Sequence, residues 1–160
     1  MVCCVKCYLK MHKTMGKLGR LCPVCRSYVR KTHTIHQESI LNHVGDRNSI
    51  EMINTLLKRG VFVDETIRTG ATALYMASHC GNTNIVSFLI DNGANINHTK
   101  DDNTTALMIA TENNHTDTVE RLITRGASVN MKDNKGFTAL YYACYKGYID
   151  IVRILVRNGA

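Results

Sequence analysis

The stretch Asp133–Ala160 reads D-N-K-G-F-T-A-L-Y-Y-A-C-Y-K-G-Y-I-D-I-V-R-I-L-V-R-N-G-A, and its landmarks recur at steps of 33 residues upstream. Gly60, Gly93, Gly126 and Gly159 are evenly spaced, as are Thr72, Thr105 and Thr138. Leu74, Leu107 and Leu140 keep the same interval, as do Ala77, Ala110 and Ala143, and Leu56, Leu89, Leu122 and Leu155. A fixed period of this length marks a stack of supersecondary units, each of which buries its apolar flank only against its neighbours.

Within the stretch, local chemistry predicts turn, helix, tight bend, helix. Thr138 is placed to cap a first helix by accepting from an amide two or three residues on. Leu140 and Ala143 share a face, with Ala139 and Cys144 beside them, and small side chains let a neighbouring helix approach. Gly147 can close that helix at positive φ. Asp150 stands in the first turn of a second helix, where the dipole favours its charge. Ile151, Val152, Leu155 and Val156 make the buried stripe of that helix, and Gly159 ends it. Upstream, Asn103 replaces Gly70 and Gly136, and Asn114 replaces Gly81 and Gly147, asparagine being the next best residue at positive φ.

With [GN]-x-T-A-L-x-x-A opening three units and G-A-x-[IV]-N closing two, residues 37–160 resemble the ankyrin-repeat family. The resemblance implies an all-α solenoid of about four helix-turn-helix repeats, at roughly 38–66, 67–97, 98–130 and 131–160. Where the family usually has T-P-L-H, this chain has T-A-L followed by Tyr75, Met108 or Tyr141. Alanine loses some preorganisation at the first helical position, and the missing histidine removes a hydrogen-bonded link between repeats. Repeat one lacks the T-A-L signature: Ile40, Leu41 and Val44 fill its first-helix core positions, and Met52, Ile53, Leu56 and Leu57 its second, with Glu51 where Asp150 stands. The sequence stops where a further finger would begin, so Ile149, Ile151 and Ile154 are expected to be partly exposed.

Composition narrows the function classes. Hydrophobic residues make up 44% of the 160, enough for a folded core. No run approaches the roughly 20 apolar residues a membrane span needs. The N-terminus has no apolar signal core, and seven cysteines without one point to an intracellular, reducing setting and to metal before disulfides. The formal charge of +7 is uneven. Residues 1–36 hold eight Lys/Arg and no acid, leaving twelve basic and thirteen acidic side chains, a net of −1, over residues 37–160. A nucleic-acid partner would therefore rest on the first segment alone and is not expected. Abundant Asn, Ile, Lys and Tyr without Trp hint at an AT-rich genome, as of large DNA viruses or intracellular bacteria, and so at residence in a host cell.

That first segment carries Cys4-x2-Cys7 and Cys22-x2-Cys25, separated by 14 residues, a spacing that can present four thiolates to a tetrahedral Zn²⁺. His12, His33 and His36 have no tight spacing to a cysteine and read as surface residues. Cys22-Pro23-Val24-Cys25-Arg26 resembles the close of a RING-type zinc finger, and Val2 to Cys7 resembles its middle in inhibitor-of-apoptosis-like and mind-bomb-like ubiquitin ligases. In that family the ligand pairs interleave between two zincs, so the resemblance implies that half the ligands of each site are missing from this sequence. The chain is accordingly expected to be a fragment or the product of a broken reading frame, without ligase activity of its own. Three readings of residues 1–30 stand together: a RING remnant, a single zinc site made by Cys4, Cys7, Cys22 and Cys25, and cysteines in a basic tail. Residues 31–37 read as a linker.

The repeats hold no transferase or hydrolase constellation and point to protein–protein interaction through the concave face. By register, its partner-binding candidates on the first helices are Met76, His79, Ile109, Glu112, Tyr142, Tyr145 and Lys146. On the turn tips they are Arg68, Thr69, Lys100, Asp101, Asp102, Asn134 and Lys135. The resemblances together imply substrate selection for a RING-type ubiquitin ligase, with a ubiquitin-conjugating enzyme as second partner of the full-length parent. An active zinc-dependent ligase and a zinc-plus-basic-patch nucleic-acid binder are the rival classes.

Overall fold

Three threonines at the 33-residue interval start three helices. In the computed structural model, Thr72, Thr105 and Thr138 are extended, and each Oγ1 accepts from the amide three residues on, at 3.3, 3.2 and 3.3 Å. The structure describes residues 39–45 and 49–160, all within one unit, Ser39–Ala160. Its helices are α1 (Ile50–Lys58), α2 (Ala73–Cys80), α3 (Thr83–Asp91), α4 (Ala106–Glu112), α5 (Thr116–Thr124), α6 (Ala139–Lys146) and α7 (Ile149–Arg157). A single 3-10 turn, Ile40–Asn42, precedes them. Among the described residues there is no strand, only isolated antiparallel bridges Thr66–Thr72 and Thr99–Thr105.

The helices pair as α2/α3, α4/α5 and α6/α7, and successive pairs stack α2 on α4 on α6 and α3 on α5 on α7. Each bend is closed the same way. Gly81 and Gly147 sit at φ 69° and 74°, and Asn114 takes their place at φ 60°. The next amide then reaches back into the first helix, from Asn82 to Ala77, His115 to Ala110 and Tyr148 to Ala143. The second helices end alike, with Val61, Ala94, Ala127 and Ala160 donating to Leu56, Leu89, Leu122 and Leu155.

Packing follows the period. Leu74, Ala77, Val86 and Leu89 are buried, and so are Leu107, Ala110, Val119 and Leu122 one step later. Each leucine or valine in this seam stabilises the stack by about 1.5–3 kcal/mol relative to exposure. Two hydroxyls on the same seam, Ser78 Oγ and Thr111 Oγ1, are buried with no hydrogen-bond partner. They too are 33 residues apart.

Repeat one departs from its expected form. Ile40 and Val44 are fully buried, but their segment makes one 3-10 turn in place of a first helix. Ser39 caps that turn, and Glu65 accepts from both the Ser39 hydroxyl and the Ile40 amide. Met52, read as core, is 49% exposed, because on α1 only Ile53 and Leu56 turn fully inward. At the other end Ile149 is exposed and Ile154 half-buried, but Ile151 is fully buried. Ile151 and Leu155 are fully buried on α7, which packs on α5 and α6, whereas Val156, assigned to the same buried stripe, is 55% exposed.

Asn114 holds a backbone conformation that glycine adopts without strain, and its side chain is exposed. Asn114→Gly is expected to raise stability by up to about 1 kcal/mol in chemical denaturation, whereas Gly147→Val is expected to lower it by at least that much.

Candidate functional site

Each finger between helical hairpins is a short loop closed on itself. The amides of Ile67, Lys100 and Asp133 donate to the carbonyls of Ala71, Thr104 and Phe137. Adjacent fingers are stitched by backbone: Asp101 donates to Thr69 at 3.1 Å, and Asn134 to Asp102 at 2.9 Å. Asn134 also accepts from Asn103 Nδ2 (2.6 Å) and donates to the Asp101 carbonyl (3.3 Å). Gly70 leaves room for this, since a Cβ there would sit 2.6 Å from Asp101 Oδ1. The tips and the outer positions of α2, α4 and α6 thus form one continuous face.

The predicted residues divide in two. Arg68, Thr69, Asp101, Asn134, Lys135, Tyr145 and Lys146 are exposed, and Met76, His79, Lys100, Asp102, Glu112 and Tyr142 are half-buried. Ile109 is a correction: at 8% exposure it belongs to the core, because α4 lies between α2 and α6 and is covered on both sides. Several others spend part of their polarity on the fold. Lys100 Nζ donates to Asp102 Oδ2 at 2.5 Å, while Asp102 Oδ1 accepts from the Thr104 amide. Cys4, Cys7, Cys22 and Cys25, the linker and the basic segment lie outside the described residues.

Repeat four carries a feature that register alone did not reveal. Asp133, next to the tip residues Asn134 and Lys135, is buried, and its Oδ1 accepts from the Lys135 and Phe137 amides at 2.9 Å. Its Oδ2 accepts from the Tyr142 hydroxyl at 2.5 Å. This tie holds Tyr142 edge-on to Phe137 and Tyr141. Phe137, Tyr141 and Tyr145 then form a row of near-parallel rings, with centroids 3.9 and 6.1 Å apart and planes within 12° and 10°. Tyr145, at its outer end, is 74% exposed. The signal was present in the sequence as three aromatics at i, i+4 and i+8, Tyr141 and Tyr145 one helical turn apart on α6 and Phe137 just before its threonine cap.

Charge on this face is fixed. Desolvation opposes the ionised form of Asp102, but hydrogen bonds from Lys100 and Thr104, with the lysine charge, hold it at about 2. Desolvation likewise opposes, and bonds from Tyr142, Phe137 and Lys135 overcome, so Asp133 also stays below its ordinary 3.8. Burial, then Asp102 and Glu112, push Tyr75 up to about 12, and burial with the Asp133 bond raises Tyr142. Burial, then the neighbouring His115, lower His79 below 6.5 against an opposing pull from Glu112. These shifts favour protonated Tyr75 and Tyr142, a neutral His79 and ionised Asp102 and Asp133 at neutral pH. Among the described residues, no group of three His, Cys, Asp or Glu side chains is arranged to hold a metal ion.

A family model described as ankyrin repeats, three copies, matches residues 17–100 and 95–160. The chain belongs to the ankyrin-repeat family. The match reaches upstream of residue 38, where the period first becomes readable in the sequence. A comparison with curated proteins finds no match. In this ankyrin array several hydrogen bonds between repeats come from positions outside the T-A-L motif. They include Asn82 Nδ2 to the Val44 carbonyl (2.7 Å), and contacts of His98 and His115 Nε2 with the carbonyls of Gly70 and His79 (both 3.0 Å).

Asp133→Ala is expected to cost about 1–3 kcal/mol and Tyr142→Phe about 0.5–1.5 kcal/mol, with the double variant less than additive in denaturant melts. Because both aspartates have lowered folded values, their stabilisation is complete above the unfolded 3.8 and is lost as pH falls through those folded values, about 2 for Asp102. Acid titration of the melting temperature should be shallower in that window for Asp133→Ala.

Proposed function

We propose that this array binds another protein across the face made by its fingertips and first helices, with repeat four as the anchoring end. Ankyrin repeats generally serve protein–protein interaction. The observation that supports the position is the ring row ending in Tyr145, held by the Asp133–Tyr142 bond and flanked in sequence by Lys146. Exposed, rigid tyrosines are enriched among residues that dominate binding energy, since they lose little conformational freedom on contact. Tyr145→Ala with Lys146→Ala is expected to weaken capture of the array's protein partner by about 2 kcal/mol, roughly thirtyfold. Arg121→Ala, exposed on second-row helix α5, should leave capture unchanged. Equal loss from both variants, or loss from neither, would place the binding face elsewhere.

For residues 1–30 the two CxxC pairs support a finer reading: one Zn²⁺ held by Cys4, Cys7, Cys22 and Cys25, in a segment related to the RING type, with the repeats selecting a substrate for ubiquitin transfer. The chain alone then supplies recruitment without transfer. Metal analysis is expected to give one zinc per chain, lost on Cys22→Ser, and reconstituted autoubiquitination is expected to give no product. A metal-free protein would leave a RING remnant or a basic, cysteine-rich tail as the reading of the segment.

A further inference from the structure

On the first helices, the positions that open onto the binding face come in pairs three residues apart. They are Met76 and His79 on α2, Ile109 and Glu112 on α4, and Tyr142 and Tyr145 on α6. α4 has a first helix packed on either side, so the middle pair sits within the array. Ile109 is buried, and Met76 and Tyr142 to its two sides are half-buried, which makes a floor across three repeats. Glu112 stands one helical turn beyond Ile109 and is half-buried. Its charge acts on the groups around it. After burial and Asp102, it helps push Tyr75 up to about 12, and after burial and Asp133 it helps raise Tyr142. It also opposes the lowering of His79 by burial and His115.

Three carboxylates thus act on these side chains, and two of them are already satisfied. Asp102 takes Lys100 and the Thr104 amide, and Asp133 takes two amides and the Tyr142 hydroxyl. Among the described residues Glu112 takes no hydrogen bond and no ion pair, and the Tyr75 hydroxyl takes no hydrogen bond. A half-buried carboxylate without donors has lost hydration with nothing in return, and a bound cation would supply both the charge and the bonds.

We propose that Glu112 receives the guanidinium of an arginine on the protein that this face binds. The inference rests on the binding face proposed above and names the side chain it takes at repeat three. Arginine suits the site better than lysine. Its planar fork can give two parallel bonds to one carboxylate and a further bond to the Tyr75 hydroxyl, and its plane can lie against a phenol ring. Its apolar stem would rest on the floor of Met76 and Ile109.

The probe is the capped tripeptide acetyl-Gly-Arg-Gly-amide, titrated to about 20 mM into the isotope-labelled 160-residue chain and followed by amide chemical shifts. Saturable shifts are expected at Met76, His79, Ile109, Glu112 and Tyr142, and none on α7. The citrulline peptide keeps the shape without the charge and is expected to bind at least about tenfold more weakly. Glu112→Gln is expected to weaken the arginine peptide equally, and the lysine peptide to rank between arginine and citrulline. His79 and Tyr145 hold the equivalent place in the neighbouring repeats, so the fold accepts changes there and the variant should keep its helical circular dichroism. Should it not, Glu112→His, which installs the residue of repeat two, carries the same expectation. Absence of shifts up to the highest concentration overturns the proposal, as does citrulline or lysine binding as well as arginine, or an affinity unchanged by substitution of Glu112. Because the probe replaces the partner, this result stands apart from whether Tyr145→Ala with Lys146→Ala weakens capture.

Discussion

No hairpin in this array can seal itself. α2/α3, taken alone, would leave Leu74, Val86 and Leu89 facing water on the side that α4/α5 covers, and the same holds at every step. The stack is therefore a one-dimensional chain of nearest-neighbour contacts, and cohesion lives at the seams more than within the units. Small residues make the seams close: Ala73, Ala77, Ala106, Ala110, Ala139 and Ala143 are all buried where first helices approach. The two unpaired hydroxyls, Ser78 and Thr111, lie in this same layer, so its packing is bought with some unmet polarity.

Polar bonds do a different task, fixing register where apolar packing alone would allow sliding. Asn82 reaches back to the carbonyl of Val44, His115 to that of His79, and the fingertip amides of Asp101 and Asn134 to the preceding fingers. His115 shows why the bend needs glycine at position 81, since a Cβ there would lie 2.5 Å from its Nδ1. Specific geometry at the bends and tips thus translates the repeat into a constant step.

The fold was legible because its determinants are local and periodic. Threonine caps, positive-φ residues and helical stripes each announce themselves within a few letters, and even Asn103 and Asn114 at φ 60° were readable as glycine surrogates. Repeat one was less legible, since nothing in Ile40–Val44 distinguishes a single 3-10 turn from a full helix once the T-A-L signature is gone. The face was readable by register but not by energetics. Register places Ile109 beside Met76 and Tyr142, yet a central helix covered on both sides buries what the outer ones leave half-buried. Asp133 adjoins the tip residues Asn134 and Lys135, and only its three-dimensional neighbours, the Lys135 and Phe137 amides and the Tyr142 hydroxyl, show it to be the peg on which the aromatic row hangs.

The stitched fingertips also set a length scale. Packed first helices stand about 8–10 Å apart, and an extended polypeptide advances about 3.3 Å per residue. A strand laid across the tips from Arg68 toward Lys135 would meet a fresh finger at about every third residue. Any ligand that spanned the proposed face would then be matched by the interval between its side chains as much as by their identity.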